Sequence, residues 1–389
     1  MTPFNFIESY KENLIEFIQK LVRTPSQNNT DSLEPIVKVV SRELKKFGFN
    51  PILIDGKKQP SVLCFCNGIK KGKKLWLDAP LDTVVVGDES KWKYPPFSGK
   101  IVNGRLYGRG SGDSKAAIAI FVYATAAVFQ SKEKINGQLV LTFDSGEQSG
   151  DFIGMKEILK KGIRADACII GYPETDEVAI GARGFLRLNI TTFGKSAHTG
   201  ARYKIGINAI NKMTKILHSL QKLKMKYKKN SFFQFGPRLT ISQIEGGQAI
   251  NIVPDKCTIK VDIRLVPSQT KNTVMKDLEI LLNKLKKDDP QFRVELKPYL
   301  YQPPFLTSKN NEIVRILKKN AEEILNKKIK LVASGASNVG NIIGNRGIPT
   351  ICGFGVNGDN FHSENEFIFV NSVLPVAKVY IKTILDFLG

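Results

Sequence analysis

Residues 74–83 read KLWLDAPLDT, and residues 138–148 read QLVLTFDSGEQ. Each stretch begins as a short apolar run, which is typical of a buried strand, and ends in a turn that carries acidic side chains. A third stretch, RLYGRGSGDSK at residues 105–115, is a Gly-rich turn that leads directly into an Ala-rich helical segment. Strands that alternate with helices in this way predict an α/β domain whose sheet is flanked by helices on both faces.

The order of the predicted elements changes in the middle of the chain. Before that point, the patterns predict helices at 4–23, 31–48, 115–130 and 150–161 and strands at 51–55, 61–66, 74–78, 138–144 and 167–171. After it, they predict helices at 308–326, 337–344 and 371–388 and strands at 328–332 and 349–354. The middle part is predicted to contain strands at 185–192, 239–246, 257–266 and 292–297 and helices at 206–223 and 270–287.

The middle elements follow a βαββαβ order, which predicts one open sheet with two helices on one face. A chain of 389 residues is long enough for two domains. We therefore expect an α/β domain with a helix-flanked mixed sheet, formed by residues 1–183 and 299–389. An α+β domain formed by residues 184–298 is expected as an insertion in it.

The formal net charge is +22, from 58 Lys and Arg residues against 36 Asp and Glu residues. Such an excess indicates either an anionic partner, such as nucleic acid or an acidic protein or substrate, or Lys-rich codon usage spread over helix surfaces. The basic residues are scattered, with local clusters at 70–74 and 222–229, and no pattern of a nucleic-acid-binding module accompanies them. We favour the second interpretation and expect only weak, salt-sensitive binding of anions.

The cysteines and the N-terminal region indicate the compartment. The cysteines form no CxxC pair and mostly lie in apolar runs: Cys64, Cys66, Cys168, Cys257 and Cys352. Free, buried thiols are expected for such a set. Residues 4–22 lack the basic start and cleavage site of a signal peptide, and no apolar run of about 18 residues suggests a membrane span. We therefore expect a cytoplasmic protein with no membrane partner.

Polar residues cluster at several predicted turns. The clusters are LDT at 81–83, GRGSGDSK at 108–115, GEQ at 146–148, GKSAH at 194–198, GQAIN at 247–251 and FHS at 361–363. Asp82, Asp113, Glu147 and His362 fall at or just beyond the ends of strands. The carboxyl ends of strands are where sites assemble in open α/β sheets. Taken singly, each of the three acids is better explained as a cap of a turn or helix.

These clusters, in this order, resemble the family of succinyl-diaminopimelate desuccinylase, acetylornithine deacetylase, aminoacylase and carboxypeptidase G. The resemblance covers nearly the whole chain and includes PFSG at 96–99, DIR at 262–264 and GFG at 353–355. It implies a hydrolase in which two zinc ions about 3.5 Å apart share a water that attacks an amide carbonyl. It also implies that the inserted domain serves as a lid and a dimerisation domain.

Carried over residue by residue, the resemblance leaves several functional positions intact. Asp113 stands at the position of the bridging aspartate, and His362 stands at that of the C-terminal histidine ligand. Glu147 stands at the position of the general base, and Asp82 at that of the aspartate that orients a histidine ligand. His198 corresponds to a histidine that polarises the substrate carbonyl in the partner subunit.

Three ligand positions differ from the family pattern. Pro80 stands where a histidine would precede Asp82, Gln148 replaces the acid after the general base, and Tyr172 replaces an acid before a proline. Alternatively, Gly146 and Glu147 could correspond to the family's two adjacent acids. In that case Glu147 would be the metal ligand, and the general base would be missing. Zinc sites need at least three good N, S or carboxylate ligands, and amide oxygens bind zinc poorly. The sequence therefore predicts no cofactor or at most one weakly bound divalent metal.

The resemblance also implies a class of ligand. It places Asn251 and Arg264 near the carbonyl and the carboxylate of the substrate, and the fork of a guanidinium suits both carboxylate oxygens. The implied ligand is a small molecule with a carboxylate, such as an acyl amino acid or a peptide. The implied assembly is a homodimer through the insert, with His198 reaching the partner's site.

The sequence leaves three functions open. The first is a non-hydrolytic or weakly active homologue that keeps a ligand-binding cleft. The second is an active amidohydrolase, a deacylase or peptidase, that uses one metal or a non-standard ligand set, with Asp78 as a conceivable rescue ligand. The third is a metal-independent acyl transferase or amide-forming enzyme with Glu147 as base. We favour the first and expect six residues in one pocket: Asp82, Asp113, Glu147, Gln148, Tyr172 and His362.

Overall fold

A computed structural model describes residues 1–56 and 59–389 of the chain. The α-helices in these residues are α1 (Pro3–Ser9), α2 (Lys11–Val22), α3 (Glu34–Lys46), α4 (Ala116–Phe129), α5 (Ile153–Lys160), α6 (Ala209–Gln221), α7 (Lys271–Asp288), α8 (Glu312–Leu325), α9 (Gly340–Gly344) and α10 (Val370–Leu388). The first strands are β1 (Ile52–Ile54), β2 (Ser61–Asn67), β3 (Lys74–Asp78), β4 (Lys100–Val102), β5 (Arg105–Tyr107), β6 (Gln138–Phe143), β7 (Ala167–Ile170) and β8 (Glu177–Ala182). The remaining strands are β9 (Gly184–Phe193), β10 (Arg238–Gly246), β11 (Lys256–Leu265), β12 (Arg293–Gln302), β13 (Phe305–Leu306), β14 (Lys330–Ser334), β15 (Thr350–Ile351), β16 (Gly358–Asp359) and β17 (Phe367–Phe369).

The chain forms two units. The first unit comprises Met1–Gly181, Leu306–Ser334 and Asn338–Gly389, and the second comprises Ala182–Phe305 and Gly335–Ser337. The first unit is built around a mixed sheet in the order β1-β2-β6-β3-β7-β15. In this sheet β3 runs parallel to both β6 and β7, whereas β2 runs antiparallel to β1 and β6. The predicted α/β class with a mixed sheet is therefore confirmed.

The central strands of this sheet bring the predicted site residues to one edge. Strands β3, β6 and β7 are buried almost throughout, which is typical of parallel strands that are covered on both faces. Since these strands run parallel, the turns after Asp78, Phe143 and Ile170 leave the sheet on the same side. Those turns carry Asp82, Glu147 and Tyr172.

Helix α4 is apolar on every side, and all its residues from Ala116 to Val128 are buried. It packs against α10, where the Phe121 ring meets the Tyr380 ring edge-on at 4.8 Å between centroids. Together with the turn before it, the stretch Ser111–Phe129 is long and apolar enough to cross a membrane, although 89% of the tested window is buried within the protein. No apolar run of this length was expected from the sequence. The core helix of a soluble protein can meet the same two criteria, because both depend only on length and composition.

The second unit contains an antiparallel sheet in the order β10-β11-β9-β12. Its elements occur as β9-α6-β10-β11-α7-β12, which is the predicted βαββαβ order. Alternate residues of β9 and β11 point to one core shared with α6 and α7, and that core includes Leu186, Leu188, Ile190, Met213, Ile259, Val261, Ile263 and Leu278. The period of two in these strands is what the alternating sequence pattern predicts.

Several elements differ from their predictions. The first predicted helix is divided at Tyr10, whose backbone is not helical. The strand expected at 349–354 is only Thr350–Ile351 long. A small sheet in the order β16-β17-β5-β4 was not predicted, because strands of two or three residues separated by Gly-rich turns are too short to show a period.

Candidate functional site

The turn that carries Asp113 is fixed by a buried acid. The Glu366 carboxylate accepts hydrogen bonds from the backbone N–H groups of Gly110 (3.0 Å), Gly112 (3.1 Å) and Asp113 (3.3 Å). It also accepts one from Arg109 Nη1 at 2.9 Å, and both of these side chains are at most 2% exposed. Burial raises the pKa of Glu366, while the Gly110 N–H and the Arg109 charge act against that shift. Glu366 is therefore the residue that shapes this turn, and the sequence analysis did not identify it.

The two retained ligand positions contact each other. The Nε2 atom of His362 lies 2.8 Å from Oδ2 of Asp113. The His362 side chain is 52% exposed, and its backbone is left-handed with φ of +65°. The hydrogen bond to Asp113 raises the pKa of His362. A carboxylate and an imidazole are donors suited to a divalent metal.

Asp82 is fully buried, and its carboxylate is fully engaged. It accepts hydrogen bonds from Asn28 Nδ2 (2.5 Å) and from the backbone N–H groups of Glu147 (3.1 Å) and Gln148 (3.0 Å). Burial raises the pKa of Asp82, and the bond from Asn28 is the largest opposing effect. The partners of Asp82 are therefore an asparagine side chain and the backbone of the 147–148 turn.

Tyr172 and Glu147 form a second buried contact. The Tyr172 hydroxyl donates to Oε1 of Glu147 at 2.9 Å. Burial raises the pKa of Glu147 well above its usual range, and the nearby charges of Asp113 and Asp82 raise it further. The pKa of Tyr172 is raised for the same reason, burial first and then Glu147. Burial and the neighbouring acids therefore favour the neutral form of Glu147, and the Tyr172 hydroxyl acts in the opposite direction.

A third buried contact joins Asp78 to Thr142. Asp78 accepts a hydrogen bond from the Thr142 hydroxyl, which in turn accepts from Trp76 Nε1 at 2.6 Å. Burial raises the pKa of Asp78 to about 7, and burial together with the Asp78 charge raises that of Asp144 well above its usual range. The two carboxyl groups influence each other electrostatically in surroundings that favour their neutral forms. Asp78 is engaged with Thr142, and Asp144 was not identified from the sequence.

Gln148 and Pro80 complete this part of the site. Pro80 is buried in the turn after β3, and Gln148 is partly buried and donates its backbone N–H to Asp82. Among residues 1–56 and 59–389, no cluster of three or more His, Cys, Asp or Glu side chains has an arrangement that could hold a metal ion.

The three residues expected to bind substrate lie in the second unit. The exposed ring of His198 accepts a hydrogen bond from the Gly200 N–H at Nδ1 (3.0 Å), which leaves Nε2 as the outward nitrogen. The carbonyl of Asn251 accepts from the Thr199 N–H at 3.0 Å, so His198 and Asn251 lie on paired segments.

Arg264 lies among other arginines on the sheet face away from the helices. Its Nε donates to Asp262 Oδ1 at 2.8 Å, and Nε of Arg187 donates to Oδ2 of the same carboxylate at 3.0 Å. Arg238 is the cross-strand neighbour of Arg264. The pKa of Arg183 is lowered by burial first and then by Arg264 and Arg238. This concentration of positive charge suits an anionic group.

The cysteine prediction is confirmed. All five thiols are free and buried. The Sγ atoms of Cys64 and Cys66 lie 4.0 Å apart, as expected for alternate residues on one face of β2.

A sequence profile of peptidase family M20/M25/M40 matches residues 76–386, which is well over half of the chain. The chain therefore belongs to this family of peptidases and related amidohydrolases.

Individual relatives cover nearly the whole chain. Succinyl-diaminopimelate desuccinylase of Wigglesworthia glossinidia brevipalpis is 28% identical over 95% of this chain and 97% of its own length. The aminopeptidase PepT of Bacillus cereus has a similar structure, with a TM-score of 0.80 at 22% identity, over 97% of this chain and 99% of that one. A dinuclear metal-binding peptidase from Bacillus subtilis has a TM-score of 0.74 at 15% identity, over 98% and 99%. At these identities the two structures establish the fold alone.

Proposed function

We propose that this protein is a ligand-binding member of the family that has lost two-zinc hydrolysis. The observation that carries the proposal is the 2.9 Å hydrogen bond from Tyr172 to Glu147. It joins a substituted ligand position to the position of the general base. The tyrosine side chain fills the space beside Glu147 and occupies an acceptor position of its carboxyl group, where the family resemblance implies a metal ligand.

The donor set does not fit two zinc ions. Of the five family ligand positions, Asp113 and His362 keep usable donors, while Pro80 has none and Gln148 offers an amide oxygen that zinc binds poorly. Tyr172 could bind only as a phenolate, and burial raises its pKa. Each zinc would therefore lack the three good ligands that such sites need.

The ligand that we propose is a small molecule with a carboxylate, such as an acyl amino acid or a peptide. The support is the retention of His198, Asn251 and Arg264 in a protein whose relatives act on such molecules. Arg264 has one nitrogen engaged by Asp262, and the guanidinium fork offers further N–H groups to an anion.

We also propose that residues 184–298 form a lid and a homodimer contact and that the protein acts in the cytoplasm.

The test combines metal content with turnover. Protein purified without chelator is analysed for zinc and is assayed against a panel of N-acyl amino acids and short peptides. We expect less than one tightly bound zinc per chain and no hydrolysis above background, while equilibrium dialysis against the same panel detects binding. Two equivalents of zinc together with turnover overturn the proposal.

A second candidate is an amidohydrolase with one metal and a non-standard ligand set. The contact between Asp113 and His362 favours it, because two of the donors already lie 2.8 Å apart. One equivalent of metal, with turnover that disappears after chelation and returns with the metal, would establish this candidate in place of the first.

Sedimentation at micromolar concentration tests the dimer, since a monomer there removes any role of His198 in a partner's site.

A further inference from the structure

The Asp82 carboxylate accepts hydrogen bonds at both oxygens. Asn28 Nδ2 and the Gln148 N–H both donate to Oδ2, at 2.5 Å and 3.0 Å, and the Glu147 N–H donates to Oδ1 at 3.1 Å. An ionised carboxylate has about four acceptor sites, so these three donors occupy most of them. Asn28 is the one side chain among the three.

Asn28 is held beside Asp82 by its own backbone. The Asn28 N–H donates to the Thr83 carbonyl at 2.8 Å, and the Thr83 N–H donates to the Ser26 carbonyl at 2.9 Å. The Gln27 side chain accepts from the Val86 N–H at 2.9 Å and so ties the same loop to the segment after β3. The segment 26–28 thus runs alongside residues 82–86 and carries the amide of Asn28 to the carboxylate.

The orientation of the Asn28 amide is set by Asp82. Asn28 is 8% exposed, and its buried Oδ1 has no hydrogen-bond partner among the described residues. A flipped amide would place that oxygen against the Asp82 carboxylate, which is worse than leaving it unpaired. A buried oxygen without a hydrogen bond is unfavourable. Asn28 adopts this orientation all the same, which indicates that the contact with Asp82 determines how its amide is oriented.

We infer that Asn28 is the positioning residue that replaces the family's missing histidine as the partner of Asp82 and that it blocks recovery of a zinc site. This inference rests on the proposed function. In the family, the aspartate at this position orients the imidazole ligand two residues before it. Here the change Pro80→His would introduce an imidazole whose N–H competes with Asn28 for the Asp82 carboxylate. Restoring Pro80→His, Gln148→Glu and Tyr172→Glu is therefore not sufficient, and a change at Asn28 is needed as well.

The test compares four proteins: the wild type, Asn28→Ala, the triple variant, and the triple variant with Asn28→Ala. Zinc affinity is measured by competition with a chromophoric chelator at one pH, and melting temperatures report folding. Loss of an orienting partner changes metal affinity by about 10- to 100-fold. We expect the quadruple variant to bind zinc at least tenfold more tightly than the triple variant, and Asn28→Ala alone to gain no zinc.

Asn320 provides a matched control in the triple background. It is likewise a buried asparagine with an unpaired Oδ1, and it lies on α8, where it donates to the Thr383 hydroxyl. Asn320→Ala should leave zinc affinity unchanged. If Asn28→Ala does not fold, Asn28→Ser replaces it, because serine keeps a small polar side chain that cannot reach as far.

A second readout does not depend on zinc. In the metal-free proteins, NMR should show a downfield, exchange-protected N–H of the imidazole introduced at position 80 in the quadruple variant and not in the triple variant. Equal zinc affinity of the triple and quadruple variants, or no zinc bound by either, overturns the inference about Asn28. Two equivalents of zinc in the wild type overturn the proposed function instead, so the two failures are distinguishable.

Discussion

The turn at 110–113 and the turn at 146–148 both carry residues predicted for the candidate site, and different acids bind their backbone N–H groups. In the first turn the backbone N–H groups are bound by Glu366, so the Asp113 side chain remains available to His362. In the second turn the backbone N–H groups are bound by Asp82, a residue of the site itself. The first turn is bound by Glu366, which was not predicted for the site. The second turn is bound by Asp82, so its N–H groups occupy acceptor positions of a predicted site residue.

The two turns also differ in how their acids are neutralised. Glu366 has a cation, Arg109, at 2.9 Å. Burial raises the pKa values of Asp78, Asp144 and Glu147, and nearby acids raise those of Asp144 and Glu147 further. The surroundings of these three acids thus favour their neutral forms, whereas a cation stands beside Glu366. The comparison shows two ways in which buried acids are accommodated in one protein.

Removing the support of the first turn should have the largest effect. Glu366→Ala leaves Arg109 buried without its partner and frees three backbone N–H groups. Breaking a buried ion pair costs about 3–5 kcal/mol, so the free energy of unfolding in urea should fall by that amount. Glu364→Ala, two residues earlier, is the control and should change it by less than about 0.5 kcal/mol. A similarly small effect of Glu366→Ala would mean that the turn is held by something else.

The raised pKa of Asp78 predicts that the free energy of unfolding depends on pH. A carboxyl group whose pKa is raised in the folded protein stabilises it below the unfolded pKa, and that stability is lost as pH rises through the folded pKa. For Asp78 the folded value is about 7 against 3.8. The free energy of unfolding should therefore fall by about 2–3 kcal/mol between pH 5 and pH 8.

Asp144→Asn should flatten that dependence, because the amide replaces the protonated acid as a donor to Asp78 at every pH. Urea titrations at several pH values measure the slope, and Asp386→Asn on α10 is the control. If the slopes of wild type and Asp144→Asn are equal, the pair of acids does not share a proton, and the contrast between the two turns is lost.

The smallest of the three effects is expected at Tyr172. Tyr172→Phe removes one hydroxyl and leaves the buried carboxyl of Glu147 without that donor, which costs about 1–2 kcal/mol. Thermal unfolding at pH 7 measures it, with Tyr299→Phe as the control, since that side chain is 53% exposed. An unchanged melting temperature would indicate that the hydroxyl does not stabilise the second turn.

The sequence predicts the elements that have a regular period. Strand β3 begins and ends where the apolar run indicates, and the alternation in β9 and β11 identifies the core of the second unit. The sheet formed by β4, β5, β16 and β17 was missed because its strands are too short for any period.

Some residues of the candidate site could be predicted from the sequence, and others could not. Motifs at strand ends reveal Asp82, Asp113, Glu147 and His362, because each lies in a short cluster whose order along the chain is characteristic. The partners of these residues have no such local signal. Asn28 lies 54 residues from Asp82, and Glu366 lies 253 residues from Asp113. Side-chain contacts over such separations are set by the packing of distant segments, so a pattern read along one chain does not contain them.

Helix α4 has a consequence for the synthesis of the chain. All its faces from Ala116 to Val128 are buried, and part of that cover is α10, which contributes Tyr380 against Phe121. Residues 370–388 leave the ribosome long after α4 does. Until then a continuous apolar surface of the nascent chain has no cover from α10, which is the kind of segment that chaperones bind and that aggregates when unprotected. Premature termination before α10 would therefore produce a chain prone to aggregation, even though every residue of the candidate site had already been made.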